Sequence, residues 1–379
     1  MSNTVRMKKF FLLLYSALLW FVPISVATAS PLEQVSLTRP FSVRWQFDTE
    51  ETSNITPAIG RENIYLPLTS GTIISLRLTD GALNWKSDIG GYISASPAAD
   101  ERGVYVASET SLPEHSSTPR ATGALRALSR QNGVTLWMRT LQAPIQGRLA
   151  SNETTIFGGA SDGRLFAVSK ETGEVLWVKQ HLAPFFSHLV LTGEHLYVGD
   201  EQGNLLAVDQ GSGQTIWHYR TQSPLRAPVA VLGDTVFIGS TDSYVYSINE
   251  TTGKLRWRVR TGAGIQSILT TPAGLIVTSL DNFVYCLSFN RGRKLWKRQL
   301  AGRVGAQPLA TEDSALFAPL AGDECVVLSL HDGKKVNSLP VGEDNNMSAS
   351  PVIADNLIIL TTRKGLVAFA NSLQDTTSQ

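Results

Sequence analysis

The sequence predicts an all-β fold, an eight-bladed β-propeller of four-stranded antiparallel blades closed by an N-terminal strand in the last blade. Three observations predict it. Apart from Trp20, the tryptophans fall at Trp45, Trp85, Trp137, Trp177, Trp217, Trp257 and Trp296, in steps of 40, 52, 40, 40, 40 and 39 residues. A glycine stands four positions before six of them, at Gly81, Gly133, Gly173, Gly213, Gly253 and Gly292. The segments between are short runs of β-branched and aromatic residues separated by glycine-bearing turns, with no sustained 3.6-residue apolar period. Four-stranded units that recur every 40 to 45 residues are propeller blades, because one such sheet cannot bury both of its faces alone.

Taken in chain order, the N-terminus comes first. Arg6, Lys8 and Lys9 precede an apolar run over residues 10–22, followed by small residues that include Ala27-Thr28-Ala29. The run is shorter than the roughly 20 apolar residues a spanning helix needs. It reads as a signal peptide cut after Ala29, so residues 1–29 are set apart from the fold, 30–370 form the propeller and 371–379 a polar tail. The strand around Trp45 is an orphan of the tryptophan-bearing type. Units then close at Trp85, Trp137, Trp177, Trp217, Trp257 and Trp296, and the long step carries a Ser/Thr/Pro-rich insertion at residues 109–122. A seventh unit has Asn337 where tryptophan is expected, and three C-terminal strands lack a fourth. Pairing them with the Trp45 strand completes an eighth blade and leaves no open sheet edge. Each tryptophan is expected to wedge between neighbouring blades.

Composition limits the function. The chain has 33 basic and 32 acidic side chains, and removing the signal leaves 30 against 32. No lysine- or arginine-rich block is visible, so the sequence gives no footprint for nucleic acid or anionic lipid. The two cysteines, Cys286 and Cys325, read as buried small hydrophobes. Neither lies at a cleavage site, so no lipid anchor is expected. A ring closed on itself points to a monomer.

The runs from Ala167, Ala207 and Ser247 through Gly173, Gly213 and Gly253 to Trp177, Trp217 and Trp257 follow the pattern A-x-D-x-x-T-G-x-x-x-W. This resembles the pyrrolo-quinoline quinone (PQQ) repeat, and the resemblance spans Trp45 to Phe369. The repeat implies fold and not function. One branch of the family holds quinoprotein dehydrogenases with PQQ and calcium over the axis. The other holds the non-enzymatic propeller of the outer-membrane β-barrel assembly machinery, a periplasmic scaffold. Chain length favours the second, and the adjacent cysteine pair of the first is absent. The implied function is a periplasmic or secreted non-catalytic scaffold with a protein partner in the cell envelope. A quinoprotein or inactive quinone-binding relative, and a carbohydrate or peptide binder, stand as alternatives.

In a four-stranded meander the links between blades share a face with each blade's second turn. Nine residues after each tryptophan stand Asn54, Ser94, Gln146, Phe186, Arg226, Gln266 and Gly305, and two further on Thr56, Ser96, Arg148, His188, Pro228, Ile268 and Gln307. These inner-strand positions are expected to line an axial funnel, with Gln146, Arg148, His188, Gln266 and Gln307 as its polar residues. The set has no carboxylate, whereas calcium needs 6 to 8 oxygen ligands and acid–base catalysis a titratable partner. The nearest acids, Glu343 and Asp344, read as loop charges. No catalytic residue, metal site or cofactor is expected. For partner binding, Leu225 and Arg226 in the link after Trp217 are similar to the Leu-Arg link through which the assembly propeller meets its barrel partner. Phe186 is the expected apolar neighbour.

Overall fold

The structure, a computed structural model, describes residues 35–49, 54–110, 122–320, 322–342 and 349–372. The expected signal segment, most of the insertion, Glu343, Asp344 and residues 373–379 of the tail lie outside the described residues, while Asn371, placed in that tail, ends the strand Gly365–Asn371 and pairs with Phe41. Eight small antiparallel sheets make an eight-bladed propeller. A regular blade is seen in the fourth, with strands Val190–Thr192, His195–Gly199, Asn204–Asp209 and Thr215–Arg220 in sequential order from axis to rim. The last blade joins Val352–Ala354, Leu357–Thr362 and Gly365–Asn371 to the N-terminal strand Phe41–Asp48, which closes the ring as the sequence predicts.

Every part of the repeat pattern has a structural cause. The alanine position, ten residues before the tryptophan, pairs directly opposite it on the third strand (Ala207 with Trp217, Ala167 with Trp177), and both alanines are fully buried. A larger residue there would push the indole off the sheet. Cys286 occupies this position opposite Trp296. The Asp/Asn position caps the following turn: Asp209 accepts the Ser212 amide and hydroxyl at 2.7 and 2.6 Å, and Asn249 does the same for Thr252. A β-bulge then leaves the residue before each tryptophan unpaired, for example Ile216 between Thr215 and Trp217, which turns the ring toward the next blade.

The indole N–H donates to a carbonyl of that next blade. Trp45 reaches Leu78, Trp85 Arg130, Trp137 Lys170, Trp177 Gln210, Trp217 Glu250, Trp257 Phe289 and Trp296 Leu330, all at 2.7–2.9 Å. The same indole lies on the next blade's glycine. A Cβ on Gly213 would stand 2.7 Å from the Trp177 ring, and φ there is +69°. Both the contact and the backbone conformation therefore exclude a side chain. Gly333 meets Trp296 in the same way.

Asn337 is now explained. The residue four before Trp45 is Phe41, not glycine, so blade 7 faces no flat platform for an indole. Its shorter amide reaches across instead, donating to the carbonyls of Leu37 at 3.0 Å and Arg39 at 2.7 Å.

Blades 2 and 3 depart from the regular pattern. The inner strand of blade 2 is broken into Tyr92–Ile93, Ala95–Ser96 and Ala98–Ala99 around Pro97, which has no N–H to give. Blade 3 keeps a seven-residue inner strand, Ile145–Ser151, whose free edge pairs in parallel with Ala95 and Ser96. Prolines also stand in the inner segments of blades 1, 5, 7 and 8 (Pro57, Pro228, Pro308 and Pro351). The innermost strand has no further neighbour toward the axis, so little pairing is lost there.

Two variants test this account by thermal or urea unfolding. Gly213→Ala forces a left-handed backbone and a clash with Trp177 and is expected to cost about 2–4 kcal/mol. Asn337→Trp is expected to destabilise by about 1–3 kcal/mol, with Asn337→Trp/Phe41→Gly losing less than the two single changes added together.

Candidate functional site

Eight inner strands meet at the axis and enclose a channel. One side chain from each blade forms a ring there: Thr56, Ser96, Arg148, His188, Pro228, Ile268, Gln307 and Ser350. Ser96 pairs with Arg148 across blades 2 and 3. The Ser350 hydroxyl accepts the Gln307 backbone N–H at 3.0 Å, and its own N–H donates to the Thr56 hydroxyl at 3.0 Å. Below the ring the channel widens into a cavity of about 590 Å³ reached from all eight blades. An adjoining cavity of about 950 Å³ lies between blades 6, 7 and 8 and shares Arg148, Leu269, Thr270, Gln307 and Val352 with it. Both include residues running toward the first turn of each blade, so they open on the face away from the links.

Of the polar residues expected at the axis, Arg148, His188 and Gln307 line these cavities, while Gln146 and Gln266 do not. They sit two residues nearer the links on the same inner strands. Ser350 escapes a count from the tryptophans because the link after Asn337 is longer than the others. The larger cavity also carries Glu312, Asp313 and Asp355 from first turns of blades 7 and 8. These are carboxylates that fixed offsets from tryptophan pass over.

Electrostatically the ring is lopsided. Removal from bulk water lowers the Arg148 pKa from its usual value, yet a guanidinium so far above neutrality keeps its charge. Desolvation and the nearby Arg148 charge push His188 down to about 4, so its imidazole is neutral at pH 7. Among the described residues no group of three or more His, Cys, Asp or Glu stands together as a metal site. Cys286 and Cys325 are free and buried, and burial pushes their thiols up to about 11 and about 12. The axial donors are a cation, hydroxyls, an amide and a neutral ring. They do not fit a calcium–quinone pair, which needs carboxylate ligands at the axis.

The link face differs. The Arg226 guanidinium is exposed and held in a two-point bond by Glu201, at 2.9 and 2.7 Å. Glu201 in turn donates its backbone N–H to Pro184 in the preceding link. Leu225 corrects the sequence reading. It is 2% exposed, packed against Gly199 and the Tyr197, Val236 and Ile238 cluster, so it cannot present a side chain to a partner. Exposed apolar residues near this pair are Leu182, at 93%, and Phe186, at 42%, both in the link between blades 3 and 4.

The outer rim holds a second correction. Arg256, Arg258 and Arg260 on strand Leu255–Arg260, and Lys294, Lys297 and Arg298 on strand Lys294–Gln299, are exposed on adjacent blades. Residues 291–298 hold five basic side chains in eight (Arg291, Arg293, Lys294, Lys297 and Arg298), so the sequence does carry a basic block, contrary to the expectation above. Charges of this kind on outer strands discourage edge-to-edge pairing.

Residues 121–226 and 201–377 match the protein family described as outer membrane protein assembly factor BamB, and together they span more than half of the chain. The chain belongs to that family. No curated protein matches the sequence. Among solved structures, BamB from Moraxella catarrhalis is 13% identical, with a TM-score of 0.71 over 90% of this chain and 100% of that one. The computationally designed Ika8 protein is 15% identical, with a TM-score of 0.74 over 87% and 99%. Quinohemoprotein alcohol dehydrogenase from Comamonas testosteroni is 12% identical, with a TM-score of 0.72 over 89% and 78%. At such identities the likeness is one of fold, shared by BamB, an artificial protein and an enzyme alike. Among the described residues no helix is long and apolar enough to cross a membrane.

One pH dependence follows from the ring. His188 takes up its proton near pH 6.5 when unfolded but only near pH 4 when folded. Its contribution to stability is complete above about pH 6.5 and is lost as pH falls toward about 4, on the order of 3 kcal/mol at most. In His188→Gln, unfolding followed between pH 7 and 4 is expected to lack that part of the decline.

Proposed function

We propose that the protein is a non-catalytic scaffold of the cell envelope that docks a protein partner on the link face of blades 3 to 5. The observation that carries the reading is the surface formed by Leu182, Phe186 and the Arg226–Glu201 pair. A nearly fully exposed leucine beside an exposed phenylalanine and a pre-oriented arginine is an anchor arrangement: apolar area to bury, with a charged group at its border. Membership of the BamB family supports a role in outer-membrane protein assembly. The N-terminal basic and apolar pattern supports cleavage after Ala29 and a periplasmic or secreted location, and the closed ring supports a monomer. The absence of carboxylates from the axial ring supports a binding role over a catalytic one.

Crosslinking in envelope extracts, followed by identification of captured proteins, tests this. The wild type is expected to capture a component of the β-barrel assembly machinery, and Leu182→Asp/Arg226→Glu to capture it at least about tenfold less, the effect of losing roughly 1.4 kcal/mol. Both positions are exposed, so the variant should melt with the wild type. Leu225→Asp, by contrast, buries a carboxylate and is expected to lose several kcal/mol of stability. Equal capture by wild type and the double variant contradicts the proposed face.

A further inference from the structure

We propose that the axial channel binds a small oxyanion, a ligand bearing a carboxylate or phosphate group, through the Arg148 guanidinium with Gln307 as a second donor. The inference is independent of the docking surface, because the cavity opens on the opposite face.

Several arginines of this protein are held by the fold, some by their own blade, as Arg256 by Asp234, and some by a neighbouring one. Arg139 donates to the Gly173 carbonyl at 2.7 Å, and Arg298 to that of Gly333 at 2.8 Å. Arg148 does not: among the described residues it has no hydrogen-bond or ion-pair partner, and neither has the side-chain amide of Gln307. Five N–H donors thus face a cavity of about 590 Å³ from a side chain that is exposed within the channel. An exposed guanidinium without a protein partner is free to take a ligand, and its planar fork of donors matches the oxygens of a carboxylate or phosphate.

The backbone beneath this arginine is held from two sides. Gly147 has φ +74°, and a Cβ on it would stand 2.8 Å from the Ser187 carbonyl oxygen and 2.9 Å from that of Phe186. On the other side Gly147 and Arg148 pair in parallel with Ala95 and Ser96. Blades 2 and 4 therefore clamp the one strand that carries the cation, which fixes its position before any ligand arrives.

Charges around the cavity favour an anion at the ring. His188 is neutral at pH 7 and is charged only near pH 4, so Arg148 is the sole fixed charge among the residues lining the 590 Å³ cavity. Glu312, Asp313 and Asp355 belong to the adjoining cavity, in turns at its outer end, and Asp313 already accepts the Ser314 hydroxyl at 2.7 Å. They disfavour a long polyanion and select a compact ligand. Its size matches pockets that hold small metabolites.

Isothermal titration with sodium phosphate, acetate, succinate and citrate at pH 7 and constant ionic strength tests the proposal on wild type, Arg148→Gln and Arg148→Lys. Saturable binding of at least one anion to the wild type is expected, with affinity lowered at least about thirtyfold in Arg148→Gln and less in Arg148→Lys. Which anion binds separates a phosphate source from a carboxylate one. Without ligand, Arg148→Gln is expected to melt with the wild type, because the side chain is exposed and holds no protein partner, so lost binding will not reflect unfolding. A second readout is the NMR titration of the His188 ring, whose midpoint is expected to rise from about 4 when the bound anion offsets Arg148. Absence of saturable binding by every anion, or equal binding by wild type and Arg148→Gln, would overturn the proposal.

Discussion

The tryptophan of each outer strand does two things at once, and the ring depends on both. Its N–H satisfies a carbonyl in the next blade, and its face lies on that blade's glycine. A blade so joined to its neighbour has a fixed angle and distance from it, and repetition of one angle closes a ring. The aromatic residue on the second strand of the same blade supports the indole from within, as Tyr197 does for Trp217, with ring centres 5.8 Å apart. The joint between blades 7 and 8 runs differently because the last outer strand comes from the other end of the chain. Phe41 replaces the glycine there, and the Asn337 amide replaces the indole.

Fixed blade spacing sets the radius of the channel and brings eight inner-strand side chains to one level. The inner edge tolerates proline for lack of a further partner, and Ile145–Ser151, which with Ile265–Thr271 is one of two seven-residue inner strands free of proline, carries the single arginine of the ring. The two faces of the disc have separate chemistry. On the link face, Arg226 is matched by Glu201 and flanked by exposed apolar residues. On the opposite face, the channel leads to a cation with no described counter-charge. A rigid ring allows both, since neither surface has to move for the other to be occupied.

Much of this was legible in the sequence. The spacing of the tryptophans, with a glycine four before most of them, carries the blade count and the closure, because both residues answer to one joint. Counting eleven residues on from each tryptophan also finds seven members of the axial ring. The eighth, Ser350, is hidden by the longer link after Asn337. Leu225 was misread for a different reason. Links follow no strand alternation, so the Leu225-Arg226 pair gives no sign of which side chain turns inward. The answer lies in Gly199, twenty-six residues earlier, whose missing side chain leaves the space that Leu225 fills. Leu182 gave no signal because one exposed leucine in a link looks like any other apolar residue until its surroundings are known.

The central functional claim is that the link face of blades 3 to 5 is where a partner docks. The most direct measurement places a photoreactive benzoyl-phenylalanine singly at Leu182 and Phe186 on that face, and at Glu153 and Glu194 in exposed first turns on the other, then illuminates the envelope. The account predicts a discrete protein adduct from Leu182 or Phe186 and none from Glu153 or Glu194. Adducts formed only from Glu153 or Glu194 would contradict it.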